Sequence, residues 1–161
     1  MRSLEKAVVA AAVLALAACG DRQGQVGEFS NDLLGNEIMI EALPDPALPG
    51  VVCHVAYFDR SVLDRLRQGN WFENPSNSSV SCQRIGPLDL AGVRTTQAGQ
   101  EIFNQRQSLF FKNVAVRRIV DLDNSSLVYV AHSREIVEGS AKIDMSTIPL
   151  TPAEVAAARG S

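Results

Sequence analysis

Alternation of apolar and polar residues predicts a β-strand over residues 37–43. The two faces of this strand carry Ile38, Ile40 and Ala42 and, opposite them, Met39, Glu41 and Leu43. Residues 51–58 are a dense run of β-forming side chains, which predicts a central strand. Three prolines and Gly50 lie between these segments and predict a rigid, turn-rich connection.

Further strands are predicted in the second half of the chain. Residues 79–85 form a short strand that ends at Gly86-Pro87, and residues 61–68 suit one or two helical turns. The clearest hairpin joins an apolar run over 108–122 to a second strand over 127–133, through the turn residues Asp123-Asn124-Ser125. About six strands and little helix predict a mainly β or α+β protein, with an antiparallel sheet or sandwich-like single domain.

The C-terminus carries the pattern of a helix start. Thr151 suits the N-cap, Pro152 suits the first turn, and Glu154 stands three residues after the cap. The following alanine-rich stretch is short, so we expect one short C-terminal helix within residues 151–161.

The N-terminus has the features of a secretory signal peptide. Arg2 and Lys6 precede a 12-residue apolar run, which is too short to span a bilayer. The run ends in Leu16-Ala17-Ala18-Cys19, which resembles the acylation site of bacterial lipoproteins. We therefore expect a signal peptide at 1–18, a tether at 19–32 and a folded domain at 33–150. The protein would be periplasmic and held in a membrane by lipid on Cys19, with Gly20 favouring the outer membrane.

Charge and cysteine content limit the partners and the cysteine chemistry that we expect. Removing Arg2, Lys6 and Glu5 with the leader changes the formal net charge from −3 to about −4, so nucleic acid is not an expected partner. With Cys19 lipidated, Cys53 and Cys82 remain as a pair, and an oxidising periplasm favours a disulfide between them. Two buried free thiols are the alternative. A metal site is less favoured because neither cysteine belongs to a Cys-x-x-Cys pair.

The two histidines are the first candidates for chemistry. His54 and His132 each lie in a predicted strand and would serve as ligand contacts, metal ligands or a general base. The simpler interpretation places both at the rim of the core. No metal-ligand spacing, nucleophile elbow or phosphate-binding glycine loop accompanies them. We therefore assign no catalytic residue, no metal and no cofactor.

Two other motifs allow both a functional and a structural interpretation. Arg117 and Arg118 point to opposite faces of one strand, so one of them is expected to be partly buried beside a carboxylate such as Glu135 or Glu138. The alternative is an anion contact, for which Arg117 is the candidate. Trp71-Phe72 would either contact a ligand or membrane, or fold back onto the core.

Several segments together resemble the CreA family of small bacterial cell-envelope proteins. The resemblance covers most of residues 33–150, in order and at similar spacing. Its most specific parts are Cys-Gln-Arg-Ile-Gly-Pro at 82–87 and Val-Glu-Gly-Ser at 137–140. The other matching segments are residues 40–46, 51–55, 108–112 and 146–150.

This resemblance implies an envelope protein without an established reaction, so no catalytic residue is carried over. Cys53 and Cys82 match the family's cysteine pair. The chain departs from the family in having a single glycine, Gly69, where a glycine-rich segment is usual, and in having Cys19. We expect a non-catalytic module that binds an envelope protein or a small molecule. An envelope enzyme using His54 or His132 is the alternative.

Overall fold

The computed structural model describes residues 24–33, 35–59, 61, 66–67, 78–103, 114–134 and 143–160. These residues form eight strands in two four-stranded sheets, and every paired neighbour runs antiparallel. The first sheet contains β1 (Gln25–Ser30), β2 (Glu37–Pro44), β3 (Val51–Asp59) and β4 (Ser78–Arg84), in that order. The second contains β5 (Gln100–Glu101), β6 (Val114–Asp121), β7 (Ser126–Ser133) and β8 (Ile143–Pro149). Helix α1 (Pro152–Arg159) follows.

One apolar core joins the two sheets. Alternate residues of each strand turn inward because successive strand side chains point to opposite faces. A single cluster of buried side chains includes Leu43 and Val55 from the first sheet and Val116 and Leu127 from the second. The remaining strand residues form two outer faces, one on each sheet, with the core between them.

The disulfide lies on the inner face of the first sheet. Cys53 of β3 stands directly opposite Cys82 of β4, with their Cα atoms 3.9 Å apart. Both side chains are buried in the core cluster. The predicted disulfide is therefore confirmed, and it links two neighbouring strands.

The connection between β2 and β3 is a tight proline-containing turn, as predicted. The backbone N–H of Asp45 donates to the carbonyl of Val51, and that of Leu48 donates to the carbonyl of Asp45. Gly50 is required there because a Cβ atom on it would lie 2.3 Å from the carbonyl oxygen of Pro87. This close approach fixes the turn against the segment after β4.

Side chains from β8 cover the outer edge of β4. The Asp144 carboxylate accepts a hydrogen bond from the backbone N–H of Val80, and the Ser146 hydroxyl accepts one from Cys82 at 2.9 Å. These contacts replace the main-chain ladder that a neighbouring strand would supply. We call this β4–β8 contact the seam; it joins one edge of each sheet.

Helix α1 is tied to β4 through its first turn. Thr151 and Glu154 form the predicted capping box, in which each side chain bonds the backbone N–H of the other residue. Arg84 donates from both terminal nitrogens to the Glu154 carboxylate, at 2.8 and 3.0 Å. Arg84 also donates to the carbonyl of Pro149 at 2.7 Å. The predicted C-terminal helix is therefore confirmed.

The Arg84–Glu154 pair predicts a contribution to folding stability that depends on pH. The hydrogen bond from Arg84 is the main cause that lowers the pKa of Glu154 from an ordinary 4.5 to about 2. Because the folded pKa lies below the unfolded one, the stabilisation is complete above about pH 5 and is lost as pH falls toward 2. We expect Glu154→Gln to lower the free energy of unfolding by about 1 kcal/mol at pH 7 in urea titrations, and by much less at pH 2.5.

The matched control is Asp123→Asn. Asp123 pairs with Arg159 at 2.8 Å, but its side chain is 92% exposed. An exposed pair of this kind contributes about 0–1 kcal/mol, so this variant should follow wild type at both pH values. An equal loss for both variants at pH 7 would contradict the special role of the Arg84–Glu154 pair.

The predicted fold class is confirmed: the described domain is mainly β, antiparallel and disulfide-linked, with one short helix. Three strands differ from expectation. Residues Gln25–Ser30, placed in the tether from the sequence, pair with β2 as β1. Strands β5 and β8 were not predicted. The helical turns expected over 61–68 fall largely outside the described residues, of which Leu66 and Arg67 are helical.

Among the described residues, none belongs to a helix with the length and apolar character needed to cross a bilayer.

Candidate functional site: a buried polar cluster and two outer sheet faces

The most strongly polar group in the core is formed by Asp45, Arg118 and Tyr129. Arg118 of β6 and Tyr129 of β7 are directly opposite each other on the inner face of the second sheet. Asp45 reaches them from the β2–β3 turn, and its carboxylate accepts hydrogen bonds from Arg118 Nη1 and, at 2.9 Å, from the Tyr129 hydroxyl. Each of the three residues is at most 1% exposed.

The arginine pair behaves partly as predicted. Arg118 is the buried member and is paired with a carboxylate, whereas Arg117 lies on the outer face and donates to the carbonyl of Ala98 at 2.7 Å. Its carboxylate partner is Asp45, 73 residues earlier in the chain, which the sequence analysis did not name. Glu135 and Glu138 lie outside the described residues.

Further hydrogen bonds complete most of the cluster. The other Asp45 contacts are the backbone N–H groups of Ala47 and Leu48, at 2.9 and 3.2 Å. Arg118 Nη2 donates to the Gln100 side chain at 3.1 Å. Among the buried side-chain nitrogen and oxygen atoms of the described residues, only Arg118 Nε has no hydrogen-bond partner.

The environment keeps Tyr129 protonated. Burial raises the pKa of Tyr129 far above its ordinary value, and the neighbouring Asp45 carboxylate raises it further. The hydroxyl is therefore a permanent donor to Asp45. The cluster is closed to solvent and ties the β2–β3 turn to the second sheet, so it stabilises the packing of the two sheets. A contact with a partner or ligand is therefore sought on the surface of the protein.

The structure does not bring the two histidines together. His54 lies on the outer face of the first sheet, opposite Ser81 of β4. His132 lies on the outer face of the second sheet, where its Nδ1 is 2.9 Å from the carbonyl oxygen of Ser133. Both histidines are half-buried in strands, and the core separates them.

A metal site is not apparent within the described ranges, which contain no group of three or more His, Cys, Asp or Glu side chains suited to hold an ion. Cys19 and Trp71-Phe72 lie outside the described residues.

The outer face of the second sheet is the clearest exposed apolar surface. Ile143 and Met145 of β8 are 72% and 62% exposed. Across the strands, Met145 is beside Val130, which is beside Arg117, and Ile143 is beside His132. We call this surface the β6–β8 face, and it consists of Arg117, Ile119, Val128, Val130, His132, Ile143 and Met145.

This surface brings together two of the three candidate ligand contacts, Arg117 and His132, and separates them from His54. The sequence analysis missed Asp45 as an ion-pair partner and missed Ile143 and Met145 as surface residues. The alternation of Ile143, Met145 and Thr147 with Asp144 and Ser146 was the available signal for β8 and its apolar outer face.

Comparison with known proteins agrees with the resemblance drawn from the sequence. The family described as "CreA protein" matches residues 26–153. The protein named "Protein CreA" from Escherichia coli strain K12 is 34% identical over 120 residues, which cover 73% of this chain and 74% of that protein. The proteins of the same name from strains O6:H1 and O157:H7 match equally well. No solved structure matches. The chain belongs to the CreA family.

Proposed function

We propose that this member of the CreA family is an exported lipoprotein, anchored through Cys19, that acts as a non-catalytic interaction module. Its contact surface is the β6–β8 face, and its partner is an envelope protein that presents apolar and acidic side chains. The observation that carries this proposal is the exposure of Ile143 and Met145 on a continuous sheet face. Exposed apolar patches of this kind are typical of protein contact sites.

The chemistry of the face defines the partner. Val128 and Val130 continue the apolar surface inward from β8, so a partner would bury a flat strip of aliphatic side chains. Arg117 continues the row formed with Met145 and Val130, and Glu101 of β5 is directly opposite Arg117. Because Glu101 also pairs with Arg134, two arginines flank one carboxylate and the rim keeps a net positive charge. An acidic group on the partner would complement that charge.

Anchoring is tested by Cys19→Ser. We expect the wild-type protein to fractionate with membranes and the variant to be released, because several acyl chains anchor stably whereas the domain alone has no such attachment. Fractionation of cells and gel mobility after metabolic lipid labelling measure this. If the variant stays with the membrane and migrates like wild type, the lipoprotein assignment is wrong.

The contact surface is tested by Met145→Glu. Burying a carboxylate in an apolar contact is unfavourable, so crosslinking to the partner in intact envelopes should fall about tenfold, equivalent to about 1.4 kcal/mol. The matched control is Ser81→Glu, which adds the same charge at an exposed position on the outer face of the other sheet.

The proposal requires a crosslinked protein that Met145→Glu loses and Ser81→Glu keeps. Equal crosslinking by both variants would remove the β6–β8 face from consideration. A thermal-shift screen with metabolites, run on the same variants, distinguishes a small-molecule ligand, which would raise the melting temperature without any crosslinked protein.

A further inference from the structure

A second group of exposed apolar side chains lies at the very start of the described domain. Val26 and Phe29 of β1 are 58% and 53% exposed, and Leu33 in the following turn is fully exposed. These are three of the seven large apolar residues that the described ranges leave exposed. They fall within eight consecutive positions, so the group is local to the N-terminal edge of the first sheet.

The apolar surface continues from β1 into the first sheet. Phe29 is directly opposite Ile38 of β2, and Ile38 is directly opposite Phe58 of β3. Directly opposed residues point to the same face, so these three side chains form one row on the outer face. The β1 edge surface consists of this row together with two exposed neighbours, Val26 at the register shift between Gln25 and Gly27 and Leu33 in the turn after β1.

The position of Cys19 gives this surface an occupant. Val26 is seven residues after Cys19, and a chain extends at most about 3.3–3.6 Å per residue, so an anchor on Cys19 keeps Val26 within about 25 Å of the lipid attachment. A short link of this kind gives the edge a high effective concentration at the bilayer, and a weak apolar contact is then populated.

We propose that the β1 edge surface rests on the membrane, with Val26, Phe29 and Leu33 at the headgroup boundary. This inference rests on the lipid anchor of the proposed function. Residues 24–33 contain Glu28 and Asp32 and no Lys or Arg, so the contact is apolar and suits zwitterionic lipid better than anionic lipid. The β6–β8 face lies across the core from the row formed by Phe29, Ile38 and Phe58, so this membrane contact leaves it uncovered.

Quenching by brominated lipid tests the contact directly. The mature protein, lipidated on Cys19, is reconstituted in phosphatidylethanolamine–phosphatidylcholine vesicles with brominated acyl chains, and tryptophan is placed at the edge as Phe29→Trp. The parent protein, whose single tryptophan is Trp71, gives the background fluorescence that is subtracted. The control is Thr147→Trp, an exposed position on the outer face of the second sheet.

We expect the fluorescence added by Phe29→Trp to be quenched at least about twofold and that added by Thr147→Trp to be nearly unchanged, because only groups at the acyl boundary meet the bromines. Leu33→Trp is a second probe; its side chain is fully exposed, so replacement disturbs no packing. It should be quenched as well.

The outcomes separate the two proposals. If the protein does not float with the vesicles, the lipid anchor itself is wrong. If it floats and neither edge probe is quenched, or if Thr147→Trp is quenched equally, the anchor stands and the membrane contact of the β1 edge surface is refuted. Stronger quenching in phosphatidylglycerol vesicles would overturn the predicted lipid preference.

Discussion

Arg118→Ala is expected to lower the free energy of unfolding by about 3–5 kcal/mol, the largest loss among the substitutions considered. The substitution removes one partner of a fully buried ion pair and leaves the Asp45 carboxylate without its countercharge in the core. Typical domains are stable by only about 5–15 kcal/mol, so the variant would be close to unfolding at physiological temperature. Urea titration followed by circular dichroism measures the effect.

Arg117→Ala is the control, because it removes the same side chain one residue away, on the outer face. The Arg117 guanidinium donates a hydrogen bond to the Ala98 carbonyl at an exposed position, so the loss should stay near 1 kcal/mol. The double variant Asp45→Asn with Arg118→Met should be less destabilised than the sum of the single variants, since it removes both charges and keeps an acceptor for Ala47 and Leu48. Equal losses for Arg117→Ala and Arg118→Ala would contradict the assignment.

Removing the disulfide is expected to have the next largest effect. The bond links residues 29 positions apart, which on the chain-entropy model corresponds to about 3–4 kcal/mol. We therefore expect Cys53→Ala combined with Cys82→Ala to melt well below wild type in calorimetry. Reduction of the wild-type protein should lower its melting temperature in the same direction.

The control pair lies one residue along each strand. His54→Ala with Ser81→Ala truncates a directly opposed pair on the outer face of the same two strands, without a covalent link. It should melt much closer to wild type. An unchanged melting temperature after complete reduction, with both thiols shown to react with a thiol reagent, would show that the bond does not stabilise the fold.

The sequence predicts those elements that are determined by residues a few positions apart in the chain. Strands β2 and β3 alternate or carry β-forming residues, and the β6–β7 turn uses Asp121 and Asn124, whose side chains bond each other at 2.8 Å. The Thr151–Glu154 capping box is a contact between residues three apart. In each case the information lies within a few residues, which is why the sequence predicts it.

The missed elements depend on distant partners. Strand β1 has a polar composition typical of a tether, and it becomes a strand because its backbone pairs with β2. Strand β8 carries Asp144 and Ser146 on its inner side, where they bond the edge of β4, so only Ile148 gives its inner face an apolar signal. The Asp45–Arg118 pair exists only once the two sheets have packed, and nothing local to either residue identifies its partner.

The seam between β4 and β8 also has a consequence for the order of folding. Neighbouring strands within each sheet follow one another along the chain, whereas the seam joins residues 64 positions apart and the Asp45–Arg118 pair spans 73. Closing a long loop costs entropy before its contacts are gained, so nearby pairings form first. Each sheet should therefore assemble as an independent meander, and the docking of the two sheets, completed by the seam, should limit the folding rate.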